Sequence, residues 1–125
     1  MKIGIDLHGV IDRNPQFWIN FANQVKSSKG EIHIISGQSW SQNLLNQLLE
    51  YNQGKKWWDF YFSIDDYLLY EKKIDYCIDE KSGRRYPNEI WDPAKGEYCL
   101  RNQIDIMFDD SPIYGKYFKT PYFKI

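Results

Sequence analysis

Two acidic segments, one near each end of the chain, contain the side chains best suited to chemistry. Asp6 and Asp12 bracket His8 in the first segment, and the pair Asp109-Asp110 ends a second apolar run. Carboxylates that share one site repel one another unless a cation or protons intervene. Mg²⁺ is the natural cation, because it takes hard oxygen ligands and usually shares its site with a phosphate.

A phosphate also needs hydrogen-bond donors, and three residues between the acidic segments can supply them. Lys95 offers an ammonium group, Ser36 offers a hydroxyl, and Gly37 offers an unobstructed backbone amide. Charged donors of this kind bind phosphate oxygens while a metal ion neutralises the remaining charge. The residue types therefore predict a Mg²⁺-assisted phosphate site.

The elements that must position these residues alternate between strands and helices. The apolar pattern predicts strands at 2–6, 32–35, 57–64, 104–108 and 122–125. It predicts a helix that begins at Asn14-Pro15 and is closed by Gly30, and a second helix capped by Ser39, with an apolar face that includes Trp40, and ended by Gly54. The pattern then predicts a short helix or turn at 66–71, a hairpin within 73–87 and a third main helix that is opened by Asp92-Pro93.

This alternation predicts an α/β fold, a three-layer Rossmann-like domain with a mainly parallel sheet and a small β-hairpin insertion. Such sheets bind ligands at the carboxyl ends of their strands. Asp6 and His8 follow the first strand, Ser36 ends the second, and Asp109 and Asp110 follow the fourth. We expect these residues to meet at one edge, and Lys95, at the start of the third main helix, to return to a similar height.

Composition limits the function classes further. The chain has 125 residues, enough for a single domain (1–125), and 16 basic against 17 acidic side chains leave a net charge of -1. This balance gives no general attraction for nucleic acid, apart from a terminal phosphate, or for a membrane. Because no long apolar run or leader is evident and Cys77 and Cys99 lack metal-site spacing, we expect a cytoplasmic protein with buried free thiols. The oligomeric state is left open.

Four ordered motifs resemble those of the haloacid dehalogenase-like (HAD) phosphohydrolases. They are Asp6-x-His8-Gly9-Val10-Ile11-Asp12, a strand ending Ile35-Ser36-Gly37, then Lys95, and finally Ile106-Met107-Phe108 before Asp109-Asp110-Ser111. The resemblance spans residues 2–111 and leaves two parts unmatched: residues 55–92, an insertion or minimal cap region, and the C-terminal tail. Each motif alone is weak, but their order is fairly specific.

The resemblance implies a phosphomonoesterase in which Asp6 attacks phosphorus and forms an aspartyl-phosphate. It implies that Ser36, Gly37 and Lys95 bind the phosphoryl oxygens. It also implies that Asp6, the backbone carbonyl of His8 and Asp110 bind Mg²⁺, with Asp109 in a supporting place. The substrate would be a small phosphate ester, with a nucleotide as one candidate.

His8 is the main departure from the family pattern, which usually has an aspartate there as general acid and base. Imidazole can perform both tasks near neutral pH, so His8 can take over the role. The alternative is a catalytically weak or inactive protein that binds a phosphate or nucleotide without hydrolysing it. A phospho-receiver domain has these residue types in another order, and a metal-dependent nuclease would leave Lys95 and Ser36 without a task.

Other polar and aromatic residues have simpler interpretations. We interpret Asp12 as a turn carboxylate, His33 as a packed histidine, Asp65-Asp66 as a helix cap, and Trp57 and Trp58 as core or edge aromatics. Lys72, Lys73, Arg84 and Arg85 are interpreted as solvated charges, although the two arginines could reach a substrate if the hairpin folds over the site.

Overall fold

The computed structural model describes all 125 residues of the chain. Its seven strands are β1 Lys2–Ile5, β2 Glu31–Ser36, β3 Phe60–Ser63, β4 Cys77–Asp79, β5 Gly83–Arg85, β6 Ile106–Asp109 and β7 Tyr122–Lys124. Its helices are α1 Pro15–Ser27, α2 Gln42–Glu50, α3 Ile64–Asp66, α4 Asn88–Trp91, α5 Ala94–Arg101 and α6 Pro112–Gly115. Two wide helical turns, Leu7–Ile11 and Tyr67–Glu71, follow β1 and α3.

Five strands form one sheet in the order β3-β2-β1-β6-β7, and every neighbouring pair is parallel. The predicted α/β class and parallel sheet are confirmed, and the arrangement is Rossmann-like. From β1 the chain builds outward through β2 and β3, then returns to place β6 on the other side of β1. A crevice at the carboxyl ends of β1 and β6 therefore lies where the strand order reverses, the usual ligand position in such sheets.

Apolar side chains on the two faces of the sheet form two separate cores. On one face, Ile3 and Ile5 of β1 pack with α1 and α2, in a cluster that includes Trp18 and Leu44. On the other face, the cluster of Ile35, Phe62, Met107 and others packs against α5 and the segment after β3. The alternation of side chains along each strand directs them to both faces, which gives the three layers the pattern predicts.

The first helix begins as predicted, but the second does not. The Asn14 side chain accepts a hydrogen bond from the Phe17 amide at the start of α1. The cap of α2 is Ser41, whose Oγ accepts from the Leu44 amide at 3.1 Å, so the predicted cap at Ser39 is wrong. Ser39 instead donates to Asp65 at 2.6 Å, and Trp40 lies outside the helix. Both serines precede the same apolar periodicity, and tertiary contacts decide between them.

The predicted bounds of later elements also differ from the structure. Strand β3 is Phe60–Ser63, shorter than the predicted 57–64. Strand β6 is Ile106–Asp109, so it begins two residues later and ends one residue later than the predicted strand at 104–108. The third main helix begins at Ala94, and its start has no side-chain cap, so the predicted opening at Asp92-Pro93 is early by one or two residues. A short helix, Asn88–Trp91, precedes it, and the sequence pattern did not indicate one.

The insertion between β3 and α5 contains the predicted hairpin. Strands β4 and β5 pair antiparallel, with Ile78 opposite Arg84, and Gly83 adopts φ +81° at the turn. Positive φ strains side chains with a Cβ, which favours glycine at this position. Cys77 in β4 is exposed, so the expectation of two buried thiols is wrong for this residue, whereas Cys99 is buried as expected. No helix of the chain combines the length and apolar character needed to cross a bilayer.

Candidate phosphate and metal site

Three carboxylates converge at the crevice between β1 and β6. Asp6 directly follows β1, Asp109 is the last residue of β6, and Asp110 follows it. One oxygen from each carboxylate lies within 4.8 Å of the others, close enough to share one cation. Parallel strands that end at the same edge bring these distant positions together, as the sequence predicts.

Lys95 joins this cluster from the helical layer. It lies in the first turn of α5, and its Nζ donates to Asp6 Oδ1 and to Asp109 Oδ2, both at 2.8 Å. The residue is 1% exposed. Burial alone lowers the pKa of Lys95, but the two carboxylates outweigh it and leave the pKa above its usual value, so the ammonium group stays charged.

Burial perturbs the carboxyl group of Asp6. Burial raises the pKa of Asp6 to about 7, with Asp109 adding to the rise and Lys95 opposing it. Lys95 therefore does not fully offset the burial of Asp6, and this carboxyl group binds a proton more readily than a free one. The three carboxylates offer oxygen ligands, which hard cations such as Mg²⁺ prefer.

The two adjacent aspartates have different surroundings. Asp109 is fully buried, and its carboxylate accepts from Lys95 and from the Ser111 amide at 2.9 Å. Asp110 lies partly open and lines the cavity described below. Gly9 adopts φ +83°, and a Cβ built on it would collide with the Asp110 carboxylate. Glycine at this position therefore lets Asp110 approach the chain after β1 closely.

His8 lies at the exposed edge of the site. Its Nε2 is 2.6 Å from Gln38 Oε1, and its Nδ1 is 3.3 Å from Asp12 Oδ2. Asp12 also accepts from the Gly9 amide at 2.7 Å, which confirms its interpretation as a turn carboxylate. These two contacts, one on each ring nitrogen, hold the imidazole ring in one orientation.

The loop after β2 contributes the predicted donors. Ser36 is buried, and its Oγ accepts from the Gln38 amide at 3.1 Å, so the hydroxyl proton is free to point elsewhere. Gly37 is covered by the Trp91 ring, which lies 2.8 Å from the position a Cβ would take. The close contact with Trp91 leaves no room for a side chain at position 37, and the loop faces the same cavity as Asp6 and Lys95.

One cavity of about 1040 Å³ unites the predicted residues. Six of the seven predicted site residues line it, and the seventh, Asp109, lies beneath it in contact with Lys95. The lining residues among the predictions are Asp6, His8, Ser36, Gly37, Lys95 and Asp110. The structure thus places the predicted residues in one site.

No family model, curated protein or solved structure matches this chain.

Several lining residues come from elements that the motif pattern did not single out. The hairpin provides Ser82, Arg84 and Arg85, and Trp91 and Tyr114 are among the other residues that line the cavity. Their signal in the sequence is weak, because a hairpin reveals its turn but not the surface against which it folds.

The structure contradicts the interpretation of Asp65 as a helix cap. The cap of α3 is Ser63, which accepts from the Asp66 amide at 3.0 Å. Asp66 precedes the helical turn Tyr67–Glu71 but its side chain makes no capping hydrogen bond, so the capping interpretation of Asp65-Asp66 is wrong. The Asp65 side chain binds Arg84 instead, so the interpretation of Arg84 as a solvated charge is wrong as well. Burial favours a higher pKa for Asp65, but hydrogen bonds from Arg84 and Ser39 outweigh it and lower the pKa.

The interpretations of His33 and of the tryptophan pair are confirmed. His33 is buried and contacts the Tyr98 hydroxyl at 2.7 Å and Glu31 at 3.0 Å. Trp57 and Trp58 are both buried in the core of the α1 face. These residues therefore stabilise the fold and take no part in the cavity.

Proposed function

We propose that this protein is a Mg²⁺-dependent phosphohydrolase that releases phosphate from small phosphate monoesters through an aspartyl-phosphate on Asp6. The observation that supports it is the shared cavity in which Asp6, Asp110, Lys95 and the Ser36-Gly37 loop face the same space. The order of these residues along the chain and their places on a Rossmann-like sheet fit the HAD-like arrangement that the motifs resemble.

Two of the three carboxylates would bind the metal ion, and the third would hold Lys95. Asp6 and Asp110, with the backbone carbonyl of His8, would hold Mg²⁺, while the buried Asp109 keeps Lys95 in place. When bound, the ion neutralises phosphate charge and aligns the ester with its attacking group. Gly9 is the residue that allows Asp110 to approach for this purpose.

Asp6 is oriented for nucleophilic attack by two donors on the same oxygen. The Leu7 amide donates to Oδ1 at 2.9 Å, and Lys95 donates to it at 2.8 Å. These contacts fix the rotamer and leave Oδ2 without either donor. A carboxylate oxygen then forms a bond to phosphorus as the ester oxygen leaves, and water later releases phosphate and restores Asp6.

The charged oxygens of the transferring phosphoryl group would accept hydrogen bonds from Ser36, the Gly37 amide and Lys95. These donors already lie in a preformed loop and a buried ion pair, so little reorganisation is needed when the phosphoryl group arrives. His8 would give a proton to the leaving oxygen and accept one from the attacking water. Its hydrogen bonds with Asp12 and Gln38 hold the ring at the cavity edge.

The proposal is tested by phosphate release from 4-nitrophenyl phosphate. We expect turnover in Mg²⁺ that disappears with a chelator and returns when Mg²⁺ is added in excess. Absence of release over a panel of phosphate esters with Mg²⁺, Mn²⁺ and Co²⁺ would contradict the proposal. Saturable binding of an ester by calorimetry without hydrolysis would instead support the non-hydrolytic phosphate binder.

The role of His8 is tested by changing how much the leaving group needs a proton. 4-Nitrophenolate leaves readily without protonation, whereas an alkoxide does not. We expect His8→Ala to lower kcat for an alkyl phosphate about 10²- to 10⁴-fold and to lower it at least about tenfold less for 4-nitrophenyl phosphate. Equal losses with both substrates would assign His8 a structural role.

A further inference from the structure

The β4–β5 hairpin forms part of the wall of the candidate catalytic cavity. Ser82, Arg84 and Arg85 line the same space as Asp6 and Lys95. The insertion therefore encloses the site from the side of the hairpin. The cavity, at about 1040 Å³, is far larger than a phosphate group requires, so the substrate has room to reach this wall.

Arg84 is the most firmly held charged residue of the hairpin. Its Nε donates to Asp65 Oδ1 at 2.8 Å, and its Nη2 donates to Asp65 Oδ2 at 3.1 Å. The same Nη2 donates to Ser39 Oγ at 3.1 Å. Asp65 is further fixed by Ser39, at 2.6 Å, and by the Tyr86 hydroxyl, at 3.0 Å. A two-point pair of this kind fixes the plane of the guanidinium group.

This network ties Arg84 to the phosphate-binding loop. Ser39 lies three residues after Ser36, in the loop that connects β2 to α2. The guanidinium position is therefore set relative to Ser36 and Gly37, and not only relative to the hairpin. Arg84 Nη1 donates to no protein atom, so its two N–H groups have no partner within the protein, and the residue lines the cavity.

The neighbouring arginine differs in these respects. Arg85 lines the same cavity, but it is exposed and its side chain makes no hydrogen bond or ion pair within the protein. It contributes positive charge near the opening, without a fixed geometry. Arg84 and Arg85 therefore carry the same charge, but only the Arg84 guanidinium group is held in a fixed orientation. A comparison of the two residues distinguishes binding that depends on this orientation from attraction by positive charge alone.

We propose that Arg84 binds a second oxyanion of the substrate, so that the protein prefers phosphate monoesters that carry another carboxylate or phosphate. The inference rests on the proposed phosphohydrolase function. The scissile group already has Lys95, Ser36 and Gly37 as donors, whereas Arg84 belongs to the hairpin wall, where the remainder of a substrate would lie. A preoriented guanidinium group with free N–H donors suits an oxyanion of either kind.

The test compares three matched substrates: phenyl phosphate, 4-carboxyphenyl phosphate and 1,4-phenylene bisphosphate. We expect the wild-type kcat/KM to be about 10- to 100-fold higher for at least one doubly anionic ester than for phenyl phosphate, the range of a charged hydrogen bond. The carboxylate and bisphosphate substrates show which oxyanion is preferred. In Arg84→Gln the preference, measured against phenyl phosphate in the same variant, should fall to within about threefold of unity.

Arg85→Gln is the matched control, since it removes the same charge from the adjacent residue. We expect it to keep most of the preference. If both variants lose the preference for doubly anionic esters to the same extent, the preference comes from positive charge alone, and the inference is overturned. Equal loss for all three esters in Arg84→Gln would assign Arg84 to the scissile phosphate or to hairpin anchoring, with the same consequence. If the wild-type protein hydrolyses none of the esters, the proposed function itself fails and the inference with it.

Discussion

Replacing Asp6 with asparagine is expected to lower kcat for 4-nitrophenyl phosphate by about four orders of magnitude or more. The amide cannot form the acyl-phosphate bond, and removal of a nucleophile abolishes nearly all of the covalent contribution to the rate. The asparagine side chain would still accept hydrogen bonds from the Leu7 amide and Lys95, because its amide oxygen can take the place of Oδ1. Phosphate release under saturating Mg²⁺ is the measurement.

Asp75→Asn is the matched control for this variant, because Asp75 is an exposed carboxylate outside the cavity. It should retain wild-type kcat. Asp6→Asn should remain folded by circular dichroism, and calorimetry in Mg²⁺ should still detect ester binding. Substantial turnover by folded Asp6→Asn would contradict the aspartyl-phosphate step and favour direct attack by water.

The predictable part of this site is the part that strand order controls. Asp6, Ser36 and Asp110 each lie at the end of a parallel strand, and strands of one sheet must end at one edge. Lys95 was predictable by chain length, because a helix that returns beside the sheet brings its first turn near that edge. Local sequence and sheet geometry therefore sufficed to place these four residues in one cavity.

The unpredictable part depends on side chains that meet across the fold. Asp65 has the sequence context of a helix cap, yet it binds Arg84 from the hairpin, and Ser63 provides the cap. Ser39 and Ser41 both suit the start of α2, and Ser39 joins the Asp65 network instead. Local preference cannot decide such cases, because the competing hydrogen bonds come from residues distant in sequence.

Element bounds were hard to predict for a related reason. Trp57 and Trp58 have the composition of a strand, but they pack into the core before β3 begins at Phe60. Aromatic residues are favoured both in strands and in buried loops, so their presence does not separate the two. The Trp57 indole donates to the Leu48 carbonyl at 2.8 Å, a contact that binds the segment to α2.

Lys95→Met is expected to destabilise the metal-free protein at pH 8 by about 3–5 kcal/mol, because it leaves buried carboxylates without a partner. The change keeps most of the side-chain volume and removes the only cation that contacts Asp6 and Asp109. Breaking a buried pair in this way costs more than the pair itself contributes. Urea unfolding in a chelator measures the loss, and Lys119→Met, at an exposed position, should stay close to wild type.

The loss in Lys95→Met should depend on pH in a defined direction. Burial already raises the pKa of Asp6 to about 7, and removal of Lys95 removes the main group that opposes this rise. A folded state with raised carboxyl pKa values binds more protons than the unfolded chain, so its stability falls as pH rises from about 4 toward the folded pKa. We therefore expect the variant to differ less from wild type at pH 5 than at pH 8.

A double variant separates lost charge pairing from lost packing. Asp6→Asn added to Lys95→Met removes one of the two unpaired carboxylates, and we expect it to recover about 1–2 kcal/mol at pH 8. Recovery should vanish at pH 5, where protonation already neutralises Asp6. No recovery at either pH would mean that Lys95 stabilises the protein mainly through packing, including its position 4.7 Å from the Tyr114 ring centroid, and that the carboxylates are solvated in its absence.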